Sequence, residues 1–98
     1  MTLDGRVTLV TGGAIRVGRA IVQALAADGA VVAVHHNGSV GAARLLVAEL
    51  RRQGHRAEVF RADLTDDAQL EALVADVERT LGPIQVLVNS AAPTEPLW

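Results

Sequence analysis

Apolar residues recur along this chain in two alternating rhythms. Four short runs, 6–11, 30–35, 56–62 and 84–88, are rich in Val, Leu, Ile and Ala and too brief for a stable helix. They predict strands. Between them lie segments in which apolar residues return every three or four positions, the spacing of one helix face. The first, 16–28, turns Val17, Ala20, Ile21, Ala24 and Leu25 inward. In the second, 41–53, Ala43, Leu46, Val47 and Leu50 point inward, while Arg44, Glu49, Arg51 and Arg52 point outward. The third places Leu70, Leu73, Val74, Val77 and Leu81 on one stripe, with Asp66 and Gln69 at capping-box spacing before it. Gly29, Gly54 and the Gly82-Pro83 pair stop the three helices, since glycine accepts the left-handed backbone at a helix end.

The order strand, helix, strand with short connections favours right-handed crossovers onto one parallel sheet. The second strand is apolar without alternation, as in a strand buried on both faces. The third mixes Ala57, Val59 and Phe60 with polar neighbours and suits an edge. The expected fold is therefore α/β: a doubly wound parallel sheet of four strands in the order 3-2-1-4 with three helices. Residues 1–98 form one unit, with no linker, low-complexity tract or sequence repeat.

Composition narrows the partners. Half of the 98 residues are hydrophobic and 20% are charged, with a formal net charge of −2. No basic field is available to attract nucleic acid or an anionic membrane. The start of the chain lacks the pattern of a secretory leader, and no apolar run approaches the length of a membrane span. There is no cysteine, which excludes disulfides and thiolate metal sites. A cytoplasmic, soluble protein is expected. The histidines make a poor metal set, because His35 and His36 are adjacent on a strand and point to opposite faces, while His55 lies at the other end of the sheet.

In such a sheet ligands sit beyond the carboxyl ends of the strands, at the point where the strand order reverses. Residues 10–18, Val-Thr-Gly-Gly-Ala-Ile-Arg-Val-Gly, pass from the first strand through a tight glycine turn into the first helix. Backbone N–H groups at a helix N-terminus favour anions, and glycine lets a pyrophosphate approach closely. A P-loop is excluded, since the chain has no lysine. After the second strand comes His35-His36-Asn37-Gly38-Ser39, with no carboxylate to bind ribose hydroxyls or to repel a 2′-phosphate. His36, Asn37 and Ser39 can donate to such a phosphate, with Arg16 across the crevice. The blander readings are a solvated helix start for Arg16 and a surface turn for 35–39, with Ser39 capping the second helix.

The pattern Thr11-Gly12-x-x-x-Arg16-x-Gly18 resembles the short-chain dehydrogenases/reductases, whose usual form is Thr-Gly-x-x-x-Gly-x-Gly. Arginine at the middle glycine is similar to the pteridine reductase branch. The resemblance covers the whole chain and implies a Rossmann-like fold, of which this is the N-terminal part. It implies that Thr11, Gly12, Ile15, Arg16 and Gly18 hold the cofactor pyrophosphate, with Arg16 favouring NADP(H) over NAD(H). Asp63 and Leu64 match the family's Asp-Leu segment beside the adenine; the alternative for Asp63 is a helix-start charge. Asn89 and Ala91 match its Asn-Asn-Ala-Gly motif, which braces the central strands and lines the ribose, although Asn89 also suits an ordinary strand end. Ser90 and Ala92 depart from that motif, and Gly38 replaces a basic residue often found in the branch.

The family's catalytic Ser, Tyr-x-x-x-Lys pair and further Asn fall beyond the matched region, and this chain contains neither tyrosine nor lysine. No catalytic residue is assigned. Two readings follow. The chain is the cofactor-binding portion of an NADP(H)-dependent reductase acting on a carbonyl or imine, pteridine-like or acyl/keto; or it is a non-catalytic nucleotide-binding or partner-docking module. Either way a homo-oligomer or a complementing chain is expected to cover the strand at Ile84, Val86, Leu87 and Val88. Trp98 reads as a core residue rather than a stacking platform.

Overall fold

The computed structural model describes residues 3–91, so the expectations for Ala92 and Trp98 lie outside the described residues. Its elements are β1 (Val7–Thr11), α1 (Arg16–Ala27), β2 (Val31–His36), α2 (Val40–Arg52), β3 (Ala57–Arg61), α3 (Asp67–Leu81) and β4 (Val86–Asn89). The strands form one parallel sheet in the order β3-β2-β1-β4. This is the predicted Rossmann-like topology.

Three layers follow from the alternation of side chains across the sheet. Val10, Val32 and Val34 meet Val22 and Ala26 of α1 and Ala43, Leu46, Val47 and Leu50 of α2 on one face. Val7, Leu9 and Ala33 meet Leu73, Val77 and Leu81 of α3 on the other. Val32, Ala33 and Val34 of β2 are wholly buried because helices cover both faces. β3 is less buried than β2, as an edge strand should be.

The glycine stops act as the sequence predicts. At the end of α1, Gly29 N–H donates to Ala26 C=O and Ala30 N–H reaches back to Leu25 C=O; Gly54 and His55 repeat this arrangement on Arg51 and Leu50. Both are Schellman closures around a glycine with φ near +90°. Asp66 caps α3, its carboxylate accepting from the N–H groups of Ala68 and Gln69. The Gln69 side chain donates to the Asp66 carboxylate and accepts from Asp63 N–H at 2.8 Å, rather than closing the reciprocal box on the cap's own N–H.

Three expectations need correction. The buried stripe of α1 is Gly18, Val22 and Ala26, flanked by Ile21 and Leu25, and Val17 is 69% exposed. The stripe is rotated from Val17, Ala20 and Ala24 because Gly18 packs against the glycine turn. A Cβ there would fall on the Gly12 carbonyl oxygen and lie 2.8 Å from Ser90 Oγ. Close backbone approach, not side-chain size, sets the phase of this helix. In α3 only Leu73, Val77 and Leu81 are buried, leaving Leu70 and Val74 partly in solvent. Finally, β4 begins two residues late, since Ile84 N–H is taken by the Glu78 carboxylate at 2.9 Å.

Candidate nucleotide-binding site

A cleft of about 710 Å³ opens at the carboxyl ends of the strands. That is within the usual range for a small-molecule site. Gly12, Ile15, Arg16, Val17 and Gly18 line it after β1, His35 and Asn37 at the end of β2, Asp63, Leu64 and Thr65 after β3, and Ser90 and Ala91 after β4. Thus eight of the residues singled out in the sequence converge here: Gly12, Ile15, Arg16, Gly18, Asn37, Asp63, Leu64 and Ala91. Four do not line it. Thr11 is buried, Asn89 sits behind it, Ser39 is the N-cap of α2 without a side-chain capping bond, and His36 faces a different groove.

His35 holds three strand ends together. Its Nδ1 accepts from Gly12 N–H at 3.0 Å, its Nε2–H donates to Ala62 C=O at 2.8 Å, and its own carbonyl accepts from Gly13 N–H at 3.0 Å. Both ring bonds are met by one neutral tautomer, protonated at Nε2. The ring is 2% exposed, so each bond shields a group that would otherwise be buried without a partner. Consequently the N–H groups of Gly12 and Gly13 are committed within the protein, and the first turn of α1 is left to receive an anion. That turn suits the role: Ile15 at the N-cap offers no side-chain acceptor, and no carboxylate lies in it. α3, with its Asp66 cap, is the contrast.

Arg16 is the sole non-glycine residue with positive φ among the described residues, at 53°. The left-handed region costs an ordinary side chain about 1–2 kcal/mol. It is also the position at which the family motif has glycine, so an exposed arginine occupies a backbone that glycine would adopt freely. The opposite wall is braced by Thr11, whose hydroxyl donates to Asn89 Oδ1 at 2.8 Å and accepts from Ala91 N–H at 3.3 Å. Ser90 Oγ–H donates to the Thr11 carbonyl. These bonds bring Ala91 so near the turn that a Cβ on Gly12 would lie 2.9 Å from its Cα.

Asp63 forms the third wall. Its Oδ1 accepts from both the N–H of Thr65, at 2.9 Å, and its hydroxyl, at 2.7 Å. Those two bonds, with Arg61 nearby, hold the carboxyl below the usual aspartate range. Val17, His35 and Ser90 line the cleft from within segments that the sequence marks as candidates, although no binding role is read for them there. Thr65 lies outside those segments, and its local cue is the two-residue offset from an aspartate after a strand.

Comparison with known proteins bears on the family and the fold that carry this cleft. The family model described as short chain dehydrogenase matches residues 6–96. The 2,3-dihydro-2,3-dihydroxybenzoate dehydrogenase of Bacillus subtilis is 36% identical over 95 residues, 96% of this chain and 36% of that protein. The short-chain dehydrogenase/reductase homolog YusS, also of Bacillus subtilis, is 31% identical over 96% of this chain and 86% of its own length. Among solved structures, a blue fluorescent protein from a metagenomic library in complex with NADPH superimposes with a TM-score of 0.90 at 42% identity, over 99% of this chain and 41% of that one. FolM alternative dihydrofolate reductase 1 from Brucella canis complexed with NADP gives 0.89 at 37% identity, over 96% and 37%. Apart from YusS, the chain spans little more than a third of the length of these curated relatives. With the motif, the topology and the family model in accord, the chain belongs to the short-chain dehydrogenase/reductase family and corresponds to the N-terminal portion of its fold.

Proposed function

We propose that this chain binds a dinucleotide in the cleft, NADP(H) in preference to NAD(H), as the cofactor-binding part of a reductase that delivers hydride to a carbonyl or imine. The observation that carries the reading is an uncapped helix N-terminus opening on a cleft with Arg16 at its rim and Asn37 where a NAD-binding protein places a carboxylate. When bound, the nicotinamide supplies the hydride. The chain's own residues position the cofactor: Gly12, Ile15 and Gly18 shape the pyrophosphate cradle, Asp63 and Leu64 border the adenine, and Asn89 and Ala91 border the ribose through the Thr11 brace. Asn37, Ser39 and Arg16 stand on the side of the 2′-phosphate. The NADPH and NADP bound to the two solved relatives, one of them an alternative dihydrofolate reductase, support this choice. A pteridine-like or acyl/keto substrate would be reduced by groups that this chain does not contain.

Two observations favour a second reading, a non-catalytic module that docks a partner. YusS matches over 86% of its own length, and Leu87 of β4 is 62% exposed, as are, in part, Leu70 and Val74 of α3. A second copy or a complementing chain would cover the strand at 84–88.

Equilibrium binding of NADPH and NADH to the chain and to its Arg16→Ala variant tests the first reading. A charge-assisted bond to phosphate contributes about 1.5–3 kcal/mol, so the variant should lose roughly ten- to hundred-fold in NADPH affinity with NADH nearly unchanged. Equal losses for both would refute the role of Arg16, and no binding of either to the parent chain would refute the cleft.

A further inference from the structure

The two histidines that end β2 differ in what a proton would do to them. His36 turns towards a groove between α2 and β3, and its Nδ1 accepts from Gly38 N–H at 3.1 Å, within its own turn. His35 turns to the opposite face of the sheet, and its Nδ1 accepts from Gly12 N–H at 3.0 Å, on the turn of another strand. An imidazolium donates from both nitrogens and accepts at neither. One added proton would therefore set two N–H groups against each other across that contact.

Neither side has room to absorb the change. His35 is 2% exposed, and its Nε2–H is spent on Ala62 C=O at 2.8 Å. Gly12 is hemmed in as well. A Cβ on it would lie 2.9 Å from Ala91 Cα, and its own carbonyl oxygen stands where a Cβ on Gly18 would fall. The next amide, Gly13 N–H, is tied to His35 C=O. A shift of Gly12 is thus passed to Gly18 and to the first turn of α1, the turn left to receive an anion.

The charges around the ring come from four elements. Arg16 and Asp63 line the same cleft, His36 follows on β2, and the start of α3 brings Asp67 and Asp66, the latter engaged in capping. Arg61 lines the groove of His36 instead. Thr65 holds the Asp63 carboxyl below the usual aspartate range, so it stays ionised near neutral pH and offers an imidazolium a counter-charge.

We propose that His35 is the positioning residue of the glycine turn and that its neutral form is required for nucleotide binding, so that a proton on Nδ1 releases the anion. The inference rests on the nucleotide reading of the cleft. Coulomb attraction between an imidazolium and a pyrophosphate acts in the opposite sense. Both ring nitrogens are directed at Gly12 and Ala62, however, so a ring held there has no N–H to give the ligand.

Nitrogen-15 NMR of the full chain between about pH 5 and 8, where histidine changes charge, reads the His35 ring and the Gly12 amide together, while circular dichroism follows the fold. Calorimetry gives the affinities for NADP⁺ and NAD⁺ over the same interval; NAD⁺ lacks the 2′-phosphate, which itself titrates near about 6. The Gly12 amide should move with the ring titration in a chain that stays folded, and both affinities should fall at least about ten-fold towards acid. His35→Asn, whose carboxamide oxygen can replace Nδ1 as acceptor without titrating, should bind with that fall abolished for NAD⁺. A Gly12 amide that ignores the ring, a ring that stays neutral or charges only as the fold melts, or affinities that stay level or rise with acid would overturn the proposal. So would a folded asparagine variant that keeps the same fall. If ring and amide titrate together but neither nucleotide binds at any pH, the positioning of the turn by His35 stands and the nucleotide reading of the cleft falls.

Discussion

Replacing Arg16 by glycine should strengthen the fold while weakening the cofactor, and the two signs together make it the most informative substitution. At φ 53° the arginine backbone lies where an L-residue costs about 1–2 kcal/mol, and glycine removes that cost. Glycine returns roughly 0.5–1 kcal/mol through the greater freedom of the unfolded chain. Removing a cation from the first turn of α1 adds about 0.3–1 kcal/mol, since it opposes the helix dipole. The net is a gain of about 1 kcal/mol, which for a chain of this size raises the melting temperature by roughly 4–8 °C. Arg16→Ala is the control. It removes the same charge but keeps a side chain in the left-handed region, so its melting temperature should fall below that of Arg16→Gly. Calorimetric or circular-dichroism melts without cofactor, paired with NADPH and NADH titrations, read both effects. If the glycine variant melts no higher than the alanine variant, the strain at Arg16 is not real. If it melts higher yet retains NADPH affinity, the strained arginine serves something other than the 2′-phosphate.

Further substitutions test the remaining parts. His35→Leu strands Gly12 N–H and Ala62 C=O, at about 1–3 kcal/mol each, and urea unfolding should show a loss of several kcal/mol; a change below ~1 kcal/mol would mean the ring bonds do not hold the strand ends. Gly18→Ala drives a methyl onto the Gly12 carbonyl, so a destabilisation of about 1–3 kcal/mol is expected together with loss of nucleotide binding, and a stable variant with intact binding would contradict the packing of α1. Because His36 titrates below its ordinary value in the folded chain, folding disfavours its proton. Its contribution is therefore full above the unfolded histidine pKa and is lost as the pH falls towards the lower folded value. Unfolding midpoints across that interval should decline with acid, and less so in an Arg44→Gln/Arg61→Gln variant; equal slopes would remove the arginines from the neighbourhood of the ring.

Much of this is legible in the sequence. The Schellman glycines, Gly29 and Gly54, announced the ends of α1 and α2, and Asp66 the start of α3, because those features depend on backbone geometry that few residues satisfy. Local periodicity does not carry phase where two backbones touch, and so the inward face of α1 follows from the contact of Gly18 with Gly12 rather than from the apolar spacing. The same limit applies to the cleft. His35 lies 23 residues from Gly12 and 27 from Ala62, and no spacing in the sequence implies that one imidazole clasps both.

Order along the chain thus determined the alternating elements, the parallel sheet with β2 buried and β3 at an edge, and the family motif at Thr11, Gly12, Arg16 and Gly18, since each follows from local backbone preference or from burial on one or two faces. The tertiary structure alone decided which polar groups remain free. His35 consumes the amides of Gly12 and Gly13, Thr65 occupies one oxygen of Asp63, and adjacent histidines on β2 face different concavities, one bonded at both nitrogens and the other with Nε2 open. Hydrogen bonds between distant strand ends settle those commitments, and a linear pattern has no term for them.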